Sequence, residues 1–323
     1  MNKVVGAWYR ISAYMRGRKI KRYKTAKMYS RENSMYMGRK ILSAEEANQY
    51  IYEQILSQEP FMAGRFGATE LLNMRSFDFG KFVWQKYGIE YHFEQLCKWS
   101  GFFPKDDKLL TQFIDIMKKS CNEVDCLGVW FQAYEDYYMK HNMTNLKEIT
   151  YLFDLEPWSA PDHPWSAALK GKTVLIIHPF TETIEQQYKK REQIFPGTEI
   201  LPEFELKTLK AVQTVAGQQD ERFDTWFDAL EWMYQEAMKI DFDVAIIGCG
   251  AYGFPLAAKL KQAGKQAIHL AGATQLLFGI KGKRWEEDKT FEYVQKFFND
   301  SWVRPGESEK PKKSDVVEGG CYW

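Results

Sequence analysis

Residues 244–262 read VAIIGCGAYGFPLAAKLKQ, and the chain continues AGKQAIHLAGA to residue 273. An apolar run ends at three glycines, Gly248, Gly250 and Gly253, in the spacing G-x-G-x-x-G. A helical stretch, FPLAAKLKQAG, follows, and then a second apolar run, QAIHLAG. The order is strand, tight turn, helix, strand. It is the repeating unit of a sheet whose strands run parallel.

The same alternation extends outward from this unit. Ser43 followed by Glu46 is a capping box, and it predicts a helix over SAEEANQYIYEQILSQ that stops near Pro60. FMAG then reads as a short buried strand, and GRFGATELLNM turns from it into a helix. Helices are predicted at 106–119 and 132–140, with DCLGVW as a strand between them. KTVLIIHPF is the clearest strand, followed by one helix over TETIEQQYKKREQIF. A strand is expected within ILPEFELKTLKAVQTVAG, a long helix at 222–239, and a last helix over EEDKTFEYVQKFFND. The expected fold class is α/β, a mostly parallel sheet with helices on both faces. Residues 41–303 form one domain in this reading. A basic aromatic arm, 1–40, precedes it and a polar tail, 304–323, follows.

Of the 323 residues, 45% are hydrophobic and 27% charged, enough for a substantial core, and the net charge of +1 gives no reason to expect nucleic acid. The five cysteines form no C-x-x-C pair, which points to a reducing compartment rather than a disulfide or zinc scaffold. With no long apolar run and no leader-like segment, the expected location is the cytoplasm.

In an open parallel sheet ligands bind beyond the carboxyl ends of the strands. Three junctions sit there: FMAGRFGATE, VLIIHPFTET and AIIGCGAYG. The glycine turn has the spacing of a dinucleotide site, which would make the chain an NAD-dependent oxidoreductase. That fingerprint also needs an acid about 20 residues on to hold a ribose. The segment there, AIHLAGA, offers only His269. The glycines therefore serve either close helix–strand packing or a phosphate or sugar, and NAD is not expected. At the second junction Thr181 or Thr183 can cap a helix whose N–H groups suit phosphate. His178 there is either a base, a phosphate donor, or a partly buried histidine. At the first junction Arg65 can fork onto phosphate oxygens, and Glu70 lies in a first helical turn where the dipole keeps it ionised. An ordinary first-turn acid or a salt bridge to Arg65 or Arg75 is the plainer alternative.

Together the three junctions resemble the GT-D-type bacterial glycosyltransferases. GRFGATEL is similar to that family's R-F-G-D-G-E segment, and AIIGCGAYGFPLAAKLKQAGKQAIHL to its closing unit. VLIIHPFTETIEQQY is similar to its middle strand and helix. The resemblance spans roughly residues 43 to 285. It implies a Rossmann-like fold and inverting hexosyl transfer from a UDP- or GDP-linked sugar to a glycan or lipid-linked acceptor, in bacterial surface polysaccharide or glycoprotein assembly. Two positions depart from it. The family's pair of acids falls on Ala68 and Glu70, which leaves Mn or Mg dependence open, and its closing Gly-His falls on Ala271 and Gly272. A non-catalytic nucleotide-sugar-binding relative is the further alternative.

Such transfer needs an acceptor base and groups that stabilise a leaving diphosphate. Glu70 is the first candidate base and His178 the second, with Glu182 and Asp162 behind them. Donor-binding candidates are Arg65, Gly67, Thr181, Thr183, Gly248, Gly250, Tyr252, Gly253 and His269. Lys281, Lys283 and Arg284 form a further basic cluster or a solvated loop. The arm carries about a dozen Lys and Arg against one acid, Glu32. Read as a helix it puts Val4, Trp8, Ile11 and Met15 near one face, which suits either an anionic membrane at its inner face or a partner subunit.

Overall fold

The computed structural model describes residues 35–79, 89–218, 220–311 and 319–323, together with Trp8 and Ile11. The rest of the arm, and the expectations placed on it, lie outside the described residues.

A nine-stranded sheet carries the fold, in the order β1-β2-β5-β4-β3-β9-β8-β6-β7. The strands are β1 Met35–Tyr36, β2 Arg39–Leu42, β3 Phe61–Gly64, β4 Cys126–Val129, β5 Glu148–Tyr151, β6 Thr173–His178, β7 Glu205–Lys210, β8 Val244–Ile247 and β9 Gln266–His269. Only β1 pairs antiparallel; all other pairings are parallel. The expected α/β class, a mostly parallel sheet with helices on both faces, is the one observed. The hairpin β1–β2 belongs to the sheet, so the folded body takes in residues from Met35 onward.

Burial on both faces explains the unbroken apolar runs. In β6, Leu175 and Ile177 enter one core while Val174 and Ile176 enter the other, and β8 divides Ala245 and Ile247 from Val244 and Ile246 in the same way. The first core is closed by α2 (Ala68–Phe79), α3 (Ile89–Ser100), α4 (Asp107–Cys121), α5 (Glu135–Asn142), α8 (Trp226–Met238) and α9 (Gly253–Gln262). The second is closed by α1 (Ala44–Ser57), α6 (Thr181–Tyr188), α7 (Arg191–Ile194), α10 (Thr274–Leu277), α11 (Lys283–Glu287) and α12 (Glu292–Gln295). The edge strand β7 is instead half-exposed along its length and carries Lys207 and Lys210, charges that discourage pairing with another chain.

Helix starts follow local chemistry. At α1, Ser43 Oγ accepts from Glu46 N–H (3.2 Å) and Glu46 returns the bond to Ser43 N–H (3.0 Å). Two single helices expected from the sequence are broken. The one after β6 divides into α6 and α7, and the last becomes α11, a 3-10 turn at Lys289–Phe291, and α12. Both broken stretches bury bulky side chains in the second core, Ile194 in one and Trp285 and Val294 in the other. The expected polar tail packs on the body instead: Trp323 is buried in the second core and Glu309 is buried against α6.

Candidate functional site

The connections leaving neighbouring strands diverge to opposite faces at several places along the carboxyl edge, and two of these carry the candidate residues. After β3 the chain enters α2 on the first face, while after β9 it enters α10 on the second. After β8 it enters α9 on the first face, while after β6 it enters α6 on the second. Each divergence opens a crevice of the kind that receives ligands in open α/β sheets. With strands about 4.8 Å apart, the two spacings from the middle of β3–β9 to the middle of β8–β6 set the two crevices about 10 Å apart.

The first crevice holds Arg65, Gly67, Glu70 and His269. Arg65 leaves the end of β3 and is buried, donating to Glu156 Oε1 (2.9 Å) and to the Leu270 carbonyl. Glu156 is closed from its other side by the Tyr293 hydroxyl (2.6 Å). Burial pushes the Glu156 carboxyl up, and Arg65 and the Tyr293 hydroxyl pull against that rise. The Arg65 fork, expected to meet phosphate, is thus committed within the chain. Glu70 lies in the first turn of α2 and is buried. Its carboxylate folds back over Gly67, where any Cβ would collide with it. A glycine at 67 is therefore a condition of the Glu70 position.

His269 ends β9 beneath the start of α9. Its Nδ1 lies 3.1 Å from the Arg65 carbonyl. A carbonyl only accepts, so Nδ1 carries the proton and Nε2 presents a lone pair. Nε2 is buried and finds no hydrogen-bond partner among the described residues. Burial, reinforced by Arg65, lowers the ring's pKa to about 3, so it is neutral near pH 7.

Close packing accounts for the three glycines of the turn. A Cβ on Gly253 would lie 2.6 Å from Cδ2 and Nε2 of His269. One on Gly248 would run into the Ala271 carbonyl and Thr274, and one on Gly250, whose φ is +59°, would stand 3.1 Å from the Ser100 carbonyl. Tyr252 points into the core, stacked 5.0 Å from Trp226 with its hydroxyl 2.9 Å from Thr214 Oγ1. The fingerprint spacing thus coincides with three tight approaches of the chain to itself.

At the second crevice the N-terminus of α6 is taken by the chain's own carboxylate. Glu309 Oε1 accepts from Glu182 N–H (2.8 Å), and Oε2 accepts from Thr183 N–H (3.2 Å) and from the Thr183 hydroxyl. Thr181, expected beside a phosphate, is buried. His178 is buried too, its Nδ1 accepting from Phe180 N–H (3.0 Å), and burial lowers its pKa to about 3. It fastens its own turn. Beside it a cleft of about 590 Å³ lies between the ends of β6 and β7 and residues 308–311, with Lys210, Gln213, Gln218 and Lys310 on its walls.

The remaining candidates stand apart. Glu182 is exposed and paired with Lys210 (3.1 Å), and Asp162 is exposed on the loop between β5 and β6. Lys281 pairs with Glu286 (3.2 Å), the Arg284 guanidinium lies 4.9 Å from the Tyr322 ring centre, and Lys283 N–H donates to the Trp323 carbonyl (3.3 Å). Among the described residues no group of three or more His, Cys, Asp and Glu is placed to hold a metal ion. With Ala68 two positions before it, Glu70 is the acid of this helix turn, so a divalent ion here would take most of its oxygen ligands from substrate phosphates and water. Sequence reasoning missed Glu156, Tyr293 and Glu309, whose contacts here span 91 to 137 positions of the chain.

Two solved structures are similar to this chain. Both are of the domain of unknown function 1792, one in selenomethionine-substituted form and one described as having a distinct glycosyltransferase fold. They are 16% and 15% identical to it, with TM-scores of 0.42 and 0.41, over 83% of this chain and 96% of theirs. Likeness this distant says nothing of a reaction. No family model and no curated protein matches the chain. Among the described residues no helix is long and apolar enough to cross a membrane.

Proposed function

We propose that this chain is an inverting glycosyltransferase using a UDP- or GDP-linked sugar, with its donor seat in the β3–β9 crevice. The observation that carries the reading is the grouping of Arg65, Glu70 and His269 where β3 and β9 end and their connections part to opposite faces, the position at which open α/β sheets receive ligands. Glu70 is the base: it takes the proton of the acceptor hydroxyl as that oxygen bonds to the anomeric carbon. The bond from that carbon to the donor phosphate breaks, and the diphosphate leaves with the electron pair. Attack from the face opposite the leaving group inverts the centre. The start of α9 and the Arg65 charge supply positive potential toward the leaving group. His178, held neutral with Nδ1 engaged, takes no part.

A lipid-linked acceptor at a membrane suits the basic arm. Trp8 and Ile11, three residues apart with helical backbone, are both exposed there. The second reading, a non-catalytic nucleotide-sugar binder, is favoured by one observation: the Arg65 fork is already consumed by Glu156 and Leu270.

The test is calorimetric titration with UDP- and GDP-sugars, followed by turnover of the wild type and Glu70→Gln. Loss of a general base lowers turnover by about 10²–10⁴-fold, with binding kept. Turnover of Glu70→Gln within a few-fold of wild type removes Glu70 from the chemistry. Binding without any turnover selects the second reading.

A further inference from the structure

Glu70 sits on α2, the glycine turn opens α9, and residues 65–67 join the two. The Arg65 carbonyl accepts from His269 Nδ1 (3.1 Å). The Arg65 side chain is bound to Glu156 and to the Leu270 carbonyl. The Phe66 ring is buried and stacked on Phe254 of α9, with centroids 5.2 Å apart. At Gly67 the carbonyl accepts from Leu71 N–H (3.1 Å) as α2 begins. The two residues before Gly67 are therefore held from the strand–glycine–helix–strand unit, one through His269 and one through Phe254. Gly253 serves the first contact, because its bare Cα admits the His269 ring, and Phe254 follows it in the chain.

Gly67 is where these contacts meet the carboxylate. A Cβ there would lie 1.8 Å from Glu70 Oε2 and 2.7 Å from its Cδ, so the carboxylate fills the volume that a side chain at 67 would need. A clash of that size is relieved only by movement. The chain at 65 and 66 is held from β9 and α9, whereas the carboxylate is the far end of a flexible side chain. The carboxylate is the part that yields. The nearest atoms to such a Cβ all belong to Glu70, Gly67 is half-buried, and its neighbour Ala68 is exposed. A methyl at 67 therefore shifts Glu70 and leaves the first core as it is.

We propose that Gly67 and His269 are positioning residues for Glu70: His269, seated by Gly253, fixes the turn after β3, and the missing side chain of Gly67 is the seat of the carboxylate. The end of the glycine turn thereby serves the base across the β3–β9 junction. This deepens the glycosyltransferase reading and rests on it for the role of Glu70, while the placement of the carboxylate stands on the contacts alone. Misplacing a reacting group by about 1 Å lowers turnover by about 10²-fold. The side chain at 67 is thus expected to govern rate with little effect on folding.

The experiment compares the full wild-type chain with Gly67→Ala, His269→Leu and His269→Asn by crystal structure, urea unfolding and release of UDP or GDP from its sugar. Gly67→Ala is expected to unfold at the wild-type urea concentration, with its carboxylate displaced and residues 64–67 in place. Its kcat is expected to fall about 10²-fold with KM within a few-fold. In a Glu70→Ala background the same substitution is expected to change kcat less than about twofold, because its effect passes through Glu70. Asn offers a side-chain N–H in place of the His Nδ1–H, so His269→Asn is expected to recover most of the rate that His269→Leu loses. Since His269→Leu can loosen the core, Gly67→Ala is the deciding variant. A carboxylate still in place in Gly67→Ala overturns the proposal. So does an equal fall in kcat with and without the Glu70 side chain, a displaced carboxylate with wild-type turnover, or His269→Asn no better than a folded His269→Leu. If the wild type releases no nucleotide, the transferase reading fails and the crystal structures decide alone: a carboxylate displaced in Gly67→Ala and kept in His269→Asn supports the positioning, and any other arrangement overturns it.

Discussion

The two crevices of the carboxyl edge solve the same problem in opposite ways. At β3–β9 a polar atom is left over: His269 Nε2 is buried with no partner among the described residues, while Arg65 is bound to Glu156 and to a carbonyl. At β6–β8 the polar groups of the α6 start are answered, but by a carboxylate from 126 residues away. The first is a closed, rigidly packed junction. The second is a complete seat whose occupant belongs to the chain. An unsatisfied group persists in a core only where packing overdetermines it. Gly253 and Phe254 close on the His269 ring and Gly64 on its Cβ.

The largest effect that separates the crevices is expected from Arg65→Leu. It leaves the Glu156 charge buried with the Tyr293 hydroxyl still donating to its other oxygen, and removing one member of a buried pair costs about 3–5 kcal/mol. Urea unfolding measures it. A loss below about 1 kcal/mol would mean the pair is open to water and that Arg65 is available to a ligand after all.

Acid sharpens the comparison next, because each crevice holds one histidine with its pKa lowered to about 3 from 6.5, and burial is the first cause of both shifts. The unfolded chain binds protons below pH 6.5 that the folded chain refuses, so this stability is full above 6.5 and is lost as pH falls toward 3. The slope approaches about 1.4 kcal/mol per pH unit for each ring. Burial lowers His92 in the same direction. Unfolding followed between about pH 7 and 5 sees this before most carboxylates titrate. A flat profile across that window would place both rings in contact with water.

Two glycine lesions then test rigidity. Gly253→Ala forces a methyl against the His269 ring at 2.6 Å, and overpacking of a closed site costs about 1–3 kcal/mol. Gly272→Ala is expected to cost less, about 1 kcal/mol, because Tyr322 can swing away with its segment. Faster exchange at 319–323 is the expected signature of the second lesion and not of the first. Equal costs would mean that segment 319–323 is as fixed as the core.

Much of the scaffold is local, and so it is legible along the chain. The Ser43–Glu46 box, the unbroken apolar run of β6 and the strand–glycine–helix unit at 244–262 each follow from contacts within a few residues. The glycines were legible as glycines but not in their purpose. Gly253 answers to His269, Gly250 to Ser100 and Gly67 to Glu70, and two of those three partners come from other elements. The breaks that make α7 and α12 short were hidden, because helical spacing does not record which core each turn must reach.

The sequence by itself determined the α/β alternation, the parallel sheet and the three junctions at its carboxyl edge, because apolar period, caps and turns are properties of neighbouring residues. Only the tertiary structure decided what those junctions hold. Arg65 meets Glu156 across 91 positions, Thr183 meets Glu309 across 126, and His269 loses its solvent to α9 and β3. Charge pairing and desolvation act through space, and a linear pattern carries no distances between residues so far apart.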